Sequence, residues 1–269
     1  MNILFSGVTG YLGSNVASHM AELGHNIHLL DRDYLIDSQA SSFESFFYFS
    51  NPNELNFRES VDQSITDFVA HFLMIRRALE KLEVRQIVYA SSVRASDSVP
   101  SPYGAAHMFV ERLLECYCQE RNIKLSILRF GNIFGGSMSS MVKRNTLVPH
   151  CFIREALALG TITVTSDGKQ TRDFTPISHC YKYIELALTS GSQTFYVCTG
   201  TQMSILEVVT VVKDVFPATK AQFSTKTVNS SGCSAISLVP LISLSRLRII
   251  SAIWDVCLKW RGADECYFK

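Results

Sequence analysis

The stretch Gly7-Val8-Thr9-Gly10-Tyr11-Leu12-Gly13 decides the fold. Before it, Ile3-Leu4-Phe5 reads as a short apolar strand. After it, Leu12, Val16, Met20 and Leu23 recur at helical spacing, and Gly24 is the residue type that closes helices. Residues 27–30 then form a second strand ending at Asp31. A glycine-rich turn between a strand and a helix has a physical use. Gly7 permits the tight turn, Gly10 lets bare backbone approach a pyrophosphate, and Gly13 lets the helix pack close to the strand. The helix start at Tyr11, Leu12 and Gly13 offers unpaired N–H groups and a partial positive charge to the phosphates. A carboxylate at Asp31 accepts hydrogen bonds from an adenosine ribose and repels a 2′-phosphate, which points to NAD over NADP; Arg32 beside it pulls the other way.

Outward from this unit the alternation continues. Residues 65–82 carry Phe68, Phe72, Ile75 and Leu79 on one helical stripe, and 87–90 is a strand of buried type. A helix over 103–121 and a strand over 125–130 follow. Strands alternating with helices imply a parallel sheet covered on both faces, a doubly wound α/β fold. Beyond Gly136 the pattern loosens. It predicts a helix over 148–159, a strand over 161–165, a helix over 181–189 and a strand over 195–198. A further helix starts at Ser204, where Ser204 and Glu207 fit a capping box. Residues 224–245 are serine-rich and weakly patterned, and 247–260 read as an amphipathic helix. The domain reading is 1–136 plus about 174–200 for the sheet, with 137–173 and 201–269 as a smaller discontinuous lobe.

Composition narrows the function classes. Of 269 residues 47% are hydrophobic and 18% charged, which is ample for a packed core and excludes a disordered or fibrous chain. Twenty-five basic residues against 24 acidic leave a net charge of +1, no electrostatic footprint for nucleic acid or a membrane surface. The most apolar stretch, 236–258, is broken by Pro240, Arg246, Arg248 and Asp255. The start lacks a basic leader, and the eight cysteines show no zinc-type spacing. The expectation is a cytoplasmic protein with reduced thiols and no metal site.

Five segments, in order, resemble one known family. They are Gly7–Gly13, Tyr89-Ala90-Ser91-Ser92, Pro102-Tyr103-Gly104-Ala105-Ala106-His107, the run Leu128–Gly135 containing Gly131-Asn132-Ile133-Phe134-Gly135, and the run Asp167–Phe174 containing Gln170-Thr171-Arg172-Asp173-Phe174. Over roughly residues 1–215 the chain resembles the extended short-chain dehydrogenases/reductases. More narrowly, it is similar to the NAD-dependent epimerase/dehydratase group that acts on nucleotide sugars. The resemblance implies a Rossmann domain that binds NAD, a lobe that binds a nucleotide-activated sugar, and a homodimer. Ser92 falls on the family's catalytic serine or threonine and Tyr103 on its catalytic tyrosine. A phenol there moves a proton to or from a sugar hydroxyl while the cofactor takes or returns hydride at the same carbon. Asn132 and Arg172 match positions near the sugar nucleotide's diphosphate, where a guanidinium can hold phosphate oxygens bidentately. The other reading of Arg172 is a surface salt bridge with Asp173.

Departures from the family pattern matter. His107 stands where the family has a lysine, one helical turn after Tyr103 on the same face. Histidine is mostly neutral at pH 7, so it can donate one hydrogen bond to the nicotinamide ribose but stabilises a tyrosinate poorly. Only 13 residues separate Asp31 from Ser45, too few for another strand and its crossover helix, so the third strand is reduced or missing. Ser92 is followed by Val93-Arg94, which disfavours dehydration and leaves epimerisation or 4-keto reduction. Two other readings stand beside this one. The chain is a dinucleotide-binding regulator or assembly partner with impaired catalysis, or a reductase of a non-sugar carbonyl.

Overall fold

The computed structural model describes residues 1–30, 41–137, 146–225 and 245–261, so Asp31 and Arg32 lie outside the described residues. The chain divides into two compact units. The first comprises Met1–Phe130 with Tyr181–Val197, the second Gly131–Cys180 with Cys198–Lys269.

In the first unit the elements run β1 (Asn2–Ser6), α1 (Tyr11–Glu22), β2 (Asn26–Leu30), β3 (Ser42–Phe43), β4 (Ser45–Tyr48), α2 (Glu54–Glu59), α3 (Val61–Leu79), β5 (Glu83–Val84), β6 (Gln86–Ser92), α4 (Pro102–Arg121) and β7 (Lys124–Phe130). The second unit carries β8 (Asn132–Phe134), α5 (Val148–Leu159), β9 (Thr161–Val164) and β10 (Thr171–Pro176). Next comes α6 (Ile177–Thr189), whose residues from Tyr181 onward belong to the first unit together with β11 (Gln193–Val197). The chain closes with β12 (Gln202–Ser204), α7 (Ile205–Val215), β13 (Lys220–Phe223) and α8 (Arg246–Arg261).

Six strands make one sheet in the order β11-β7-β6-β4-β1-β2, and every pairing is parallel. This is the doubly wound arrangement read from the alternation. Central β6 is buried at all seven positions, the continuous run that a strand covered on both faces requires. Alternate residues point to opposite faces. Leu4, Phe46, Tyr48, Ile87 and Tyr89 meet Phe68, Phe72 and Ile75 of α3 and Val110 and Leu114 of α4 in one core. Among the described residues β2 is the outer strand on its side, and no third strand flanks it.

Helix ends follow local chemistry. Ser60 accepts the Gln63 N–H to start α3. Ser101 accepts the Gly104 N–H to start α4, Pro102 occupies its first turn, and Asn122 ends it in the left-handed region at φ 53. The Ser204–Glu207 capping box is present at α7.

The second unit holds three-stranded β12-β10-β8 and two-stranded β13-β9 ladders over a core that includes Phe134, Ile153, Phe174, Val208, Ile253 and Trp260. Gly131–Gly136, read above with the sheet domain, falls in this unit because β8 pairs with β10. Most of the serine-rich 224–245 lies outside the described residues. Among the described residues no helix is long and apolar enough to cross a membrane.

Candidate active site

The glycine turn is built by close approach. Gly7 has φ +88, and a Cβ there would lie 2.6 Å from the Phe49 carbonyl carbon and 2.7 Å from the Ser50 nitrogen. A Cβ on Gly13 would fall 2.1 Å from the Gly7 carbonyl oxygen, so α1 can rest on the turn only without a side chain there. The Gly10 N–H donates to that same oxygen at 3.0 Å. Gly10 is the N-cap of α1; no side chain caps the helix, and its first turn has no acidic residue. An anion at this helix start meets backbone N–H groups and the positive end of the helix dipole with no competing carboxylate. The turn therefore fits a dinucleotide's phosphates.

Ser92 and Tyr103 are brought to one junction. Ser92 ends β6, is 7% exposed, and its Oγ accepts the Arg94 N–H at 3.2 Å, starting a single 3₁₀ turn over Val93–Ser96. Tyr103 lies in the first turn of α4. A Cβ on its neighbour Gly104 would come within 2.2 Å of the Arg94 carbonyl oxygen. The start of α4 is thus pressed against the turn that Ser92 begins, and Gly104 is the residue that permits it. The Tyr103 ring is half-buried, edge-on to Phe57 at 5.5 Å and to His107 at 4.7 Å.

His107 is 2% exposed, its ring set among Tyr103, Phe68 at 5.0 Å and Tyr89. Burial pushes its imidazole down to about 3, so it is neutral across the working range. The charge that the family lysine would bring is absent at this position. Its Nδ1 lies 3.1 Å from the Tyr89 hydroxyl, and its Nε2 is buried without a hydrogen-bond partner. Such an orphan costs about 1–3 kcal/mol, the kind of defect that a ligand oxygen repairs. The Asn51 Nδ2 donates to the Ala90 carbonyl at 2.9 Å, while Asn51 Oδ1 is a second buried orphan.

Beneath this junction runs a network that sequence reasoning missed. Glu111 of α4 is 1% exposed, accepts a hydrogen bond from Ser91 and takes two from Arg129 of β7, at 3.0 and 2.6 Å. Arg129 also donates to Tyr196 of β11 at 2.6 Å. The network ties the helix bearing Tyr103 and His107 to the strand bearing Ser92. A signal was available: Glu111 sits on the same stripe as His107, Val110, Leu114 and Cys118, and a carboxylate on a buried stripe requires a partner.

In the second unit, Asn132 of β8 donates to the Asp173 carbonyl at 3.2 Å, and it stands opposite Phe174 of β10, two residues from Arg172. The salt bridge between Arg172 and Asp173 is not what forms. The Asp173 carboxylate, 3% exposed, accepts from the Thr199 N–H and hydroxyl, the Gly200 N–H and the Thr175 hydroxyl, while Arg172 donates to the Thr171 carbonyl at 2.8 Å. Asp173 pins β10 to the turn after β11.

A parallel sheet with a phosphate-fitting glycine turn on its first strand and a serine–tyrosine junction after its central strand is a Rossmann-like α/β arrangement. Comparison with known proteins agrees. Residues 69–198, just under half of the chain, match the NAD dependent epimerase/dehydratase family. An uncharacterized UDP-glucose epimerase, YtcB, of Bacillus subtilis is 32% identical over 127 residues, which span 46% of this chain and 39% of the relative. A UDP-glucose 4-epimerase of the same organism is 23% identical over 280 residues, covering 80% of this chain and 82% of the relative. Among solved structures, a UDP-glucuronic acid 4-epimerase variant from Bacillus cereus bound to NAD and a fluorinated UDP-sugar superimposes with a TM-score of 0.74 at 17% identity. That match covers 97% of this chain and 100% of the other, and it shows the shared fold.

Proposed function

We propose that the chain binds NAD in the Gly7–Gly13 turn and acts on a nucleotide-activated sugar as an epimerase or 4-ketoreductase. The observation that carries this reading is the Gly104 contact, which puts the start of the Tyr103 helix against the turn that Ser92 begins. In this reading the cofactor supplies a hydride acceptor and donor at the sugar carbon. The Tyr103 phenol takes or returns the proton of the sugar hydroxyl at that carbon. Ser92 Oγ holds the same oxygen. His107 contributes a neutral N–H rather than a charge, so the phenol loses its proton with less electrostatic help than an adjacent ammonium gives. Arg172 and Asn132 bind the diphosphate of the sugar nucleotide. Asp31 accepts from the adenosine ribose and favours NAD over NADP, with Arg32 beside it pulling the other way.

A homodimer belongs to the same proposal. Val61, Ile65, Leu73 and Met74 of α3 are 40–43% exposed, and Phe109 of α4 is 46% exposed. Apolar residues repeated along two helices of one face suit a second copy of this chain.

The second reading, cofactor binding without turnover, is favoured by the buried neutral imidazole one turn after Tyr103. Turnover of UDP-sugars by the wild type and by Tyr103→Phe separates the two. Product formation that disappears in the variant supports the enzyme. Saturable NADH binding with no product from any UDP-hexose or UDP-4-ketohexose supports the regulator.

A further inference from the structure

Tyr103, His107 and Glu111 follow one another at four-residue intervals along α4. The last of them carries a buried charge that the proposed reaction does not use. The Glu111 side chain is 1% exposed, and the Arg129 side chain facing it is 11% exposed. A buried ion pair is a poor device for stability, because both charges give up water; apolar side chains of the same volume often serve as well or better. What the pair supplies is direction. Arg129 Nε donates to one Glu111 oxygen at 3.0 Å and Nη2 to the other at 2.6 Å, a two-pronged contact that fixes angle as well as distance. The guanidinium is held from its other side, where Nη1 donates to the Tyr196 hydroxyl at 2.6 Å. Arg129 stands in register with Ser91 of β6 and Tyr196 of β11, one residue before the level of Ser92. Ser91 Oγ donates to the same carboxylate. Three neighbouring strands therefore converge, directly or through Arg129, on one side chain of α4.

We propose that Glu111 is a positioning residue: its fork with Arg129 and its bond from Ser91 set the roll of α4, and with it the place of the Tyr103 phenol relative to Ser92. The proposal rests on the Tyr103–Ser92 reading above. Glu111 lies eight residues from Tyr103, about 12 Å along the helix axis, so it acts through the helix and not by contact. The close approach at Gly104 sets how near the helix start lies to the turn that Ser92 begins. It leaves rotation about the helix axis open, and the fork closes that freedom. Ser91 adds the strand side of the tie, one residue from Ser92 itself. Placement of this kind matters to rate, since a misplacement of about 1 Å by a change far from the chemistry can cost about 10²-fold.

Arg129→Lys is the first variant, because it keeps a positive charge opposite Glu111 and removes the fork. With tyrosines labelled at ¹³Cζ, the Tyr103 line is assigned through Tyr103→Phe and read in the unliganded protein. It is expected to shift or broaden in Arg129→Lys, while the line of Tyr183, whose ring packs on Phe195, stays in place. Kinetics with NAD and a UDP-sugar read the consequence: kcat falls by about 10–100-fold, while KM and NADH affinity hold. Ser91→Ala leaves the ion pair whole and should move the same line and lower kcat in the same direction; it carries the test if Arg129→Lys does not fold. An unmoved Tyr103 line, a shift shared equally by Tyr183, an unchanged kcat, or a loss that falls on KM alone overturns the proposal. A wild type without turnover overturns the enzyme reading, and the catalytic purpose of the placement with it. The ¹³C lines need no substrate, so they decide the placement itself apart from that failure.

Discussion

Replacing His107 with glutamine should remove a measurable part of the protein's sensitivity to acid. The buried imidazole is held down to about 3, against about 6.5 in an unfolded chain. Below pH 6.5 the unfolded chain binds a proton that the native state refuses, so stability falls as pH falls, with a slope of about 1.4 kcal/mol per pH unit. The contribution is fully present above pH 6.5, and by pH 5 about 2 kcal/mol has been lost through this one residue. His71, held at about 4 by burial, acts in the same direction and window. Together they draw on a total stability of about 5–15 kcal/mol, enough to bring acid unfolding above the carboxylate range. Glu44, kept low by the backbone N–H of Asn2, acts only at lower pH, and its contribution cancels between wild type and variant. Urea unfolding at pH 7.5, 6 and 5 by far-ultraviolet circular dichroism is the assay. Both tryptophans, Trp254 and Trp260, lie in the second unit, so their fluorescence does not report on this core. His107→Gln should show a pH slope shallower by about one proton. Equal slopes would mean that His107 is hydrated or protonated in the folded protein, and the buried neutral imidazole would have to be given up.

Other perturbations test other parts. Gly13→Ala places a Cβ 2.1 Å from the Gly7 oxygen, so it should abolish NADH binding and cost about 1–3 kcal/mol in thermal or urea unfolding. Asp173→Ala strips partners from the buried Thr199 N–H and hydroxyl; tryptophan-monitored unfolding of the second unit should lose about 2–4 kcal/mol. Tyr103→Phe should keep NADH affinity while lowering turnover by about 10²–10⁴-fold. Leu73→Glu should convert a dimer to a monomer in sedimentation velocity, and a monomeric wild type would remove the dimer from the account.

Local chemistry made much of this legible in the sequence. The turn Gly7–Gly13, the helix stripe Phe68-Phe72-Ile75-Leu79 and the Ser204–Glu207 box each depend on residues within a turn or two of one another, and the structure shows each of them. Two helices start earlier than their apolar stripes suggest: α3 begins at Val61 rather than near 65 because Ser60 caps it, and α6 begins at Ile177 rather than 181. What the sequence concealed depends on distant partners. Strands β8 and β10 become strands by pairing with each other across some forty residues, so the partner that makes each a strand is not local to it. Asp173 looks like a surface partner for Arg172 until the Thr199 turn, 26 residues on, folds onto it. His107 was legible as a departure from the family lysine. Its enclosure was not, because Tyr89 and Phe68 reach it from a strand and another helix.

The account turns on whether backbone amides of the Gly7–Gly13 turn hold the joined phosphates of a nicotinamide carrier. Titration of the folded wild type with NADH, followed by nucleotide fluorescence with Gly13→Ala alongside, addresses this directly. Saturable binding of one NADH per chain, lost in the variant while its fold persists by circular dichroism, is the predicted result. A wild type that leaves NADH fluorescence unmoved at millimolar nucleotide, or a Gly13→Ala protein that binds as well as wild type, contradicts it.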